Sequence, residues 1–79
     1  MFTKNMLKFL ESLKYLADEN DYWIEIEING LLESVKVYFG GNNGRDVGHV
    51  YATFDAINRT ETPTHLALNL FNQMEHSII

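Results

Sequence analysis

Isoleucine alternates with acidic residues near the middle of the chain, within residues 22–39, YWIEIEINGLLESVKVYF. This period-two pattern is typical of a strand with one buried face. Asn29-Gly30 follows, and it favours a two-residue type I′ turn, whose central residues both take positive φ. The pattern and the turn together predict a β-hairpin in which Ile24 lies opposite Val35.

With this turn the second strand begins at Leu31, which lies opposite Ile28, and Leu32 falls on the other face. Glu33 is then the one charged residue on an otherwise apolar face. A slip of one residue would mix the two faces, so the alternation supports the register that the turn predicts.

Apolar residues spaced by three and four positions predict one helix before the sheet-forming region in the sequence and one helix after it. The first helix spans residues 3–18, with an apolar stripe of Met6, Phe9, Leu10, Leu13, Leu16 and Ala17. The second begins at Thr62-Pro63, with Thr62 as N-cap and Pro63 in the first helical position. Its stripe is Ala67, Leu70, Phe71, Met74 and Ile78.

A third strand is predicted over residues 47–54, with Val50, Ala52 and Phe54 on one face. The glycine-rich loop 40–46 before it is too short for a crossover helix, so this strand runs antiparallel to the second. Residues 55–61 form a connector that could contain a helical turn. We therefore predict a single α+β domain over residues 1–79, a two-layer α-β-β-β-α sandwich whose three-stranded antiparallel sheet carries both helices on one face.

Composition restricts the function classes. Eleven acidic and six basic residues give a net charge of −5, which disfavours binding to nucleic-acid phosphates. No cysteine is present, so disulfides and thiolate chemistry are excluded. The 46% apolar fraction is that of a globular protein, and neither a membrane-spanning run nor a signal-peptide pattern is found. These features predict a cytoplasmic protein.

Motifs for catalysis and for cofactors are not found, so we predict a non-enzymatic protein without cofactor or metal. His65 and His76 are eleven positions apart on one predicted helix, about 16 Å, too far to share an ion. The loop at residues 40–44 lacks the lysine and the following helix of a phosphate-binding P-loop. Glu25 and Glu27 share a strand face, but an open sheet face offers no pocket that excludes water for acid–base catalysis.

Acidic and aromatic residues suggest a partner-binding surface. Six acids and no base occur between residues 18 and 33, and the sheet face opposite the helices carries three aromatic rings. The predicted partner-binding residues are Asp18, Glu19, Asp21, Trp23, Glu25, Glu27, Glu33, Tyr38 and Tyr51. Exposed rings on a rigid sheet are good interface anchors. Two alternatives stay open: an acidic edge that only aids solubility, and ordinary cross-strand packing with Lys36 over Trp23.

The α-β-β-β-α order resembles that of double-stranded-RNA-binding domains. That family places basic residues where this chain has Thr62-Pro63-Thr64-His65. In size, acidity, lack of cysteine and architecture the whole chain also resembles small phage-encoded inhibitor proteins, anti-CRISPR proteins among them. This resemblance implies a stoichiometric inhibitor whose acids occupy a nucleic-acid-binding surface of a host nuclease complex. The alternative is a structural or regulatory homodimer that associates through its aromatic sheet face.

Overall fold

The computed structural model describes residues 3–77. Its elements are α1 (Lys4–Glu19), β1 (Tyr22–Asn29), β2 (Ser34–Gly41), β3 (Asp46–Thr53), α2 (Phe54–Arg59) and α3 (Pro63–His76). The strands form one antiparallel sheet in the order β1-β2-β3. The predicted α+β class and three-stranded antiparallel sheet are therefore confirmed. The short helix α2 occupies part of the predicted connector.

Helix α1 follows its N-cap Thr3, whose hydroxyl accepts the Met6 backbone N–H at 3.1 Å. Its buried residues belong to the predicted stripe and are Met6, Phe9, Leu10, Leu13 and Ala17. Within Lys4–Glu19 the first turn carries no acid and the last turn no base, so charges do not offset the helix dipole. Burial of the apolar stripe must therefore hold this helix in place.

The predicted turn of the hairpin was wrong. Asn29 pairs with Ser34 and Ile24 pairs with Phe39, which leaves a four-residue loop, residues 30–33, between the strands. The pairing differs from the predicted one by four positions. Because four is an even number, every side chain keeps its predicted face. The shift also removes Glu33 from the apolar face.

Side-chain hydrogen bonding explains why the loop is longer than the Asn-Gly pair suggests. Asn29 stays in the strand, and its Oδ1 accepts the Leu32 backbone N–H at 2.9 Å, a local bond that Asn often makes in turns. The loop residue with positive φ is Glu33, at 50°. Its carbonyl accepts the Phe54 backbone N–H at 2.8 Å, which ties the hairpin loop to the start of α2.

Strand β3 ends one residue earlier than predicted. Thr53 caps α2, because its hydroxyl accepts the Ala56 backbone N–H at 3.1 Å, so Phe54 begins a helix and does not continue the strand. Near its start β3 carries a bulge: Gly40 pairs with Asp46 while Phe39 pairs with Gly48.

The helices pack against the sheet face that carries Val35, Val37 and Phe39, which are fully buried. The ring of Phe39 meets Phe71 of α3 edge to face, with 5.3 Å between centroids. A Cβ on Gly48 would lie 2.9 Å from Met74 Cγ, so α3 passes close over β3. The α1 residues join the same core cluster.

Helix α3 begins at Pro63 as predicted, but the Thr62 side chain makes no capping hydrogen bond. Ala67, Phe71 and Met74 of the predicted stripe are buried, and Leu70 is partly buried. Ile78, the last residue of that stripe, lies outside the described residues.

Candidate protein-binding surface

The open face is the side of the sheet opposite Val37 and Phe39. It consists of Trp23, Glu25, Glu27, Lys36, Tyr38, His49 and Tyr51. Trp23 is 46% exposed and Tyr51 is 49% exposed. These rings lie on the two outer strands, so a partner lying across the sheet would contact both.

Trp23 packs over Gly40, its cross-strand neighbour on β2. A Cβ on Gly40 would overlap the indole ring, so only glycine leaves room for this arrangement. Gly40 is consequently buried although it lies on the open face. The contact fixes the position of the indole and leaves its outer surface in solvent, as an interface anchor requires.

Tyr38 is the centre of the open face. Its ring lies 5.9 Å from the His49 ring, and Lys36 Nζ lies 5.8 Å from its centroid. Its hydroxyl donates a long hydrogen bond of 3.4 Å to Glu27 Oε1. Lys36 therefore packs on Tyr38, and not on Trp23 as the cross-strand alternative expected.

Glu25 and Glu27 are the acidic residues of the open face. They lie opposite Tyr38 and Lys36, respectively. Neither takes part in an ion pair within residues 3–77, so their charges are available to a partner.

The remaining predicted acids are spread along the molecule. Asp18 pairs with Lys14 at 3.1 Å, and Glu19 ends α1. Asp21 precedes β1 with a φ of 58°, while Glu33 lies beyond the other end of that strand, which is itself about 24 Å long. The structure therefore brings together Trp23, Glu25, Glu27, Tyr38 and Tyr51 on one face. It places Asp18, Glu19, Asp21 and Glu33 at the two ends of β1.

An exposed apolar patch at the β1 edge was missed by the sequence reasoning. Leu31 is 93% exposed and Leu32 is 64% exposed, because both belong to the hairpin loop. Ile26 and Ile28 lie on the helix-covered face but are 44% and 42% exposed. The sequence did contain a sign of this error. The predicted register placed the charged Glu33 on the apolar face, which indicated that this register was wrong.

Two tyrosines have a raised pKa. Burial, followed by a 2.9 Å hydrogen bond to Glu75 and the charge of Glu75, raises the pKa of Tyr22, and Arg45 opposes this shift. A hydrogen bond to Glu19 raises the pKa of Tyr15. Both tyrosines lie on the helix side of the molecule, away from the open face.

A groove of about 600 Å³ lies between α1 and α3. Tyr15, Leu16 and Leu68 supply much of its apolar wall, and Ser12 and Thr64 form a 3.3 Å hydrogen bond across it. Its titratable residues are Lys8, Glu11 and Tyr15, and Tyr15 is mostly exposed. None of the residues that line this groove belongs to the open face.

No family model, curated protein or solved structure matches the chain. Among residues 3–77, no helix is long and apolar enough to cross a membrane. In the same part of the chain, no three His, Asp or Glu side chains are close enough to hold a metal ion.

Proposed function

We propose that this protein is a non-enzymatic binding module whose open face engages a basic surface of another protein. The observation that carries the proposal is the combination, on one sheet face, of exposed rings at Trp23 and Tyr51 with the carboxylates of Glu25 and Glu27, which form no ion pair within residues 3–77. Rings supply contact area that can be desolvated. Carboxylates select a basic partner and accelerate its association.

The partner we propose is a nucleic-acid-binding protein, with the acids occupying positions that phosphates would take. This is the role implied by the resemblance to small phage-encoded inhibitors of the anti-CRISPR kind, which act stoichiometrically in the cytoplasm on a nuclease complex. Within the open face Lys36 is the one Lys or Arg, and it lies over Tyr38. The surface therefore suits a basic protein better than it suits a nucleic acid.

Charge reversal tests the proposal. The wild-type protein, a Glu25→Lys/Glu27→Lys variant and a Glu11→Lys/Glu61→Lys control would each be immobilised and exposed to cell lysate at low and high salt. The control carries the same change in net charge at exposed positions away from the open face. We expect the wild type and the control to retain the same basic protein, and the open-face variant to lose it. Because the interaction is electrostatic, high salt should weaken it.

The inhibitory role requires a second measurement on the captured protein. Its nucleic-acid binding should fall as the wild-type protein is added, reaching completion near one equivalent. Equal capture by all three proteins would contradict the proposal. Capture without any loss of nucleic-acid binding would keep the binding module but reject the inhibitor.

A homodimer through the aromatic face is the second candidate, favoured by the exposure of Trp23 and Tyr51 on the same side of the sheet. Solution mass and the accessibility of Trp23 to a fluorescence quencher separate the two candidates. A tight dimer with a protected indole supports self-association, whereas a monomer with an accessible indole supports a foreign partner.

A further inference from the structure

We propose that β1 accepts a fourth strand from the partner protein, an extended segment in which apolar residues alternate with Lys or Arg. This binding mode rests on the proposed function, because both require a basic protein partner. It adds where the partner binds, in which conformation, and with what sequence pattern.

The outer edge of β1 is open. Within residues 3–77 the sheet ends at β1, which pairs there only with β2, and all β1 residues from Glu25 to Asn29 are exposed. In an antiparallel pair every second residue directs its N–H and C=O away from the neighbouring strand. These groups can hydrogen-bond to an added strand. The opposite edge is less regular, because β3 contains the bulge between Asp46 and Gly48.

The helix-covered side of β1 has apolar surface for such a strand to cover. Ile26 and Ile28 pair with the fully buried Val37 and Val35, yet each remains more than two-fifths exposed. Leu7 of α1 is also exposed. It lies about 140° around the helix from Ser12, which faces α3, and therefore points away from α3.

On the open-face side of β1, charge indicates which kind of strand can be added. An added strand must place apolar residues beside the isoleucines, and its alternate residues then lie beside Glu25 and Glu27. A second copy of β1 could pair antiparallel with the first in a register centred on Ile26. This centred register would place Glu25 opposite the copy's Glu27, and like charges directly opposite each other are destabilising. Lys or Arg at those positions would instead form cross-strand pairs. The edge therefore fits a foreign basic strand better than a second copy.

Synthetic peptides of about ten residues test this mode, since that length matches a strand. One peptide alternates Lys or Arg with Val or Ile, and a scrambled peptide has the same composition without alternation. Two further versions of the alternating peptide carry N-methyl groups on alternate amides. One version is methylated along one edge of the peptide strand, and the other version along the opposite edge. Binding to the full chain would be measured by fluorescence anisotropy and by amide hydrogen exchange.

We expect the alternating peptide to bind at least about tenfold more tightly than the scrambled one, because only alternation satisfies both faces. Methylation along one edge should abolish binding, while methylation along the other should leave it intact. Alternate amides of β1 should exchange more slowly in the complex. The Glu25→Lys/Glu27→Lys variant should reject this peptide and bind one alternating Glu with Val, whereas Glu11→Lys/Glu61→Lys should behave as wild type.

Two results would overturn strand addition. Equal binding of the alternating, scrambled and methylated peptides would leave only charge attraction, so strand addition would fail while the proposed function stands. No change in β1 amide exchange at about 1 mM peptide, a concentration that reveals even weak complexes, would likewise reject it. The proposed function itself fails if the Glu25→Lys/Glu27→Lys variant binds basic peptides and proteins as the wild type does.

Discussion

At the scale of single residues, the contact between Trp23 and Gly40 determines how one anchor of the open face is presented. A Gly40→Ala side chain would overlap the indole, so the ring must move off the strand. We expect a loss of about 1 kcal/mol in the free energy of unfolding, together with greater quenching of Trp23 fluorescence. Urea denaturation and acrylamide quenching measure the two effects.

Gly30→Ala is the matched control for that substitution. Nothing lies within 4 Å of a Cβ at Gly30, and the φ of this glycine is not positive. We expect its unfolding free energy and its quenching to match the wild type. Unchanged quenching in Gly40→Ala would show that the indole does not depend on Gly40 for its position.

Tyr22 should make stability depend on alkaline pH. Burial and Glu75 raise its pKa above the usual 10.0 in the folded state. The neutral phenol is therefore favoured by folding, and this stabilisation is fully present below pH 10. It is lost as the pH rises through the raised pKa of the folded state. Urea unfolding between about pH 8 and about pH 11 should show the decline in the wild type and a smaller one in Tyr22→Phe.

Glu75→Gln separates two causes of the raised pKa. Glutamine retains a hydrogen-bond acceptor for the Tyr22 hydroxyl but removes the negative charge that raises the pKa. We expect the Tyr22 absorbance titration in this variant to move to lower pH. A midpoint equal to that of the wild type would show that the charge of Glu75 has no influence.

At the scale of elements, the hairpin loop distinguishes the observed register from the one that the Asn-Gly pair suggests. Leu31 is almost fully exposed in the four-residue loop, whereas the two-residue turn would place it opposite Ile28 on the buried face. Leu31→Ser should therefore change the unfolding free energy by less than about 0.5 kcal/mol. Val35→Ala, at the position that pairs with Ile28, should cost about 2 kcal/mol. A large loss in Leu31→Ser would contradict the observed register.

The hairpin also shows which parts of an element can be predicted from the sequence. Alternation fixed the face of every strand residue, because a shift by four positions preserves the faces. Alternation does not distinguish registers that differ by an even number of residues. The Asn-Gly pair predicted the wrong one of these, because the Asn29 side chain accepts the Leu32 backbone N–H. The charged Glu33 on an apolar face was the evidence against the two-residue turn. Helix stripes were predicted well because α1 and α3 each cover a single core.

At the scale of the whole molecule, the open face was predictable and the extent of the acidic surface was not. Side chains alternate between the two faces along a strand, so Trp23, Glu25 and Glu27 share one face whatever the register. The run of acids from residue 18 to residue 33 is continuous in sequence, but β1 separates Asp21 from Glu33 by its whole length. Exposure of Ile26 and Ile28 depends on how far α1 covers the edge strand, and an alternating pattern carries no information on that distance.

The same edge should control self-association. In a centred pairing of two β1 strands four carboxylates meet, Glu25 and Glu27 from each copy, so we expect the wild type to be monomeric at low salt. Glu25→Gln/Glu27→Gln removes this repulsion and leaves the backbone edge and the isoleucines in place. Sedimentation velocity should then show dimers that increase with concentration. Glu11→Gln/Glu61→Gln, with the same net charge, should remain monomeric, because the four carboxylates that repel each other at the β1 edge are still present. A wild-type dimer that dissociates on Trp23→Ala would instead place self-association on the aromatic face.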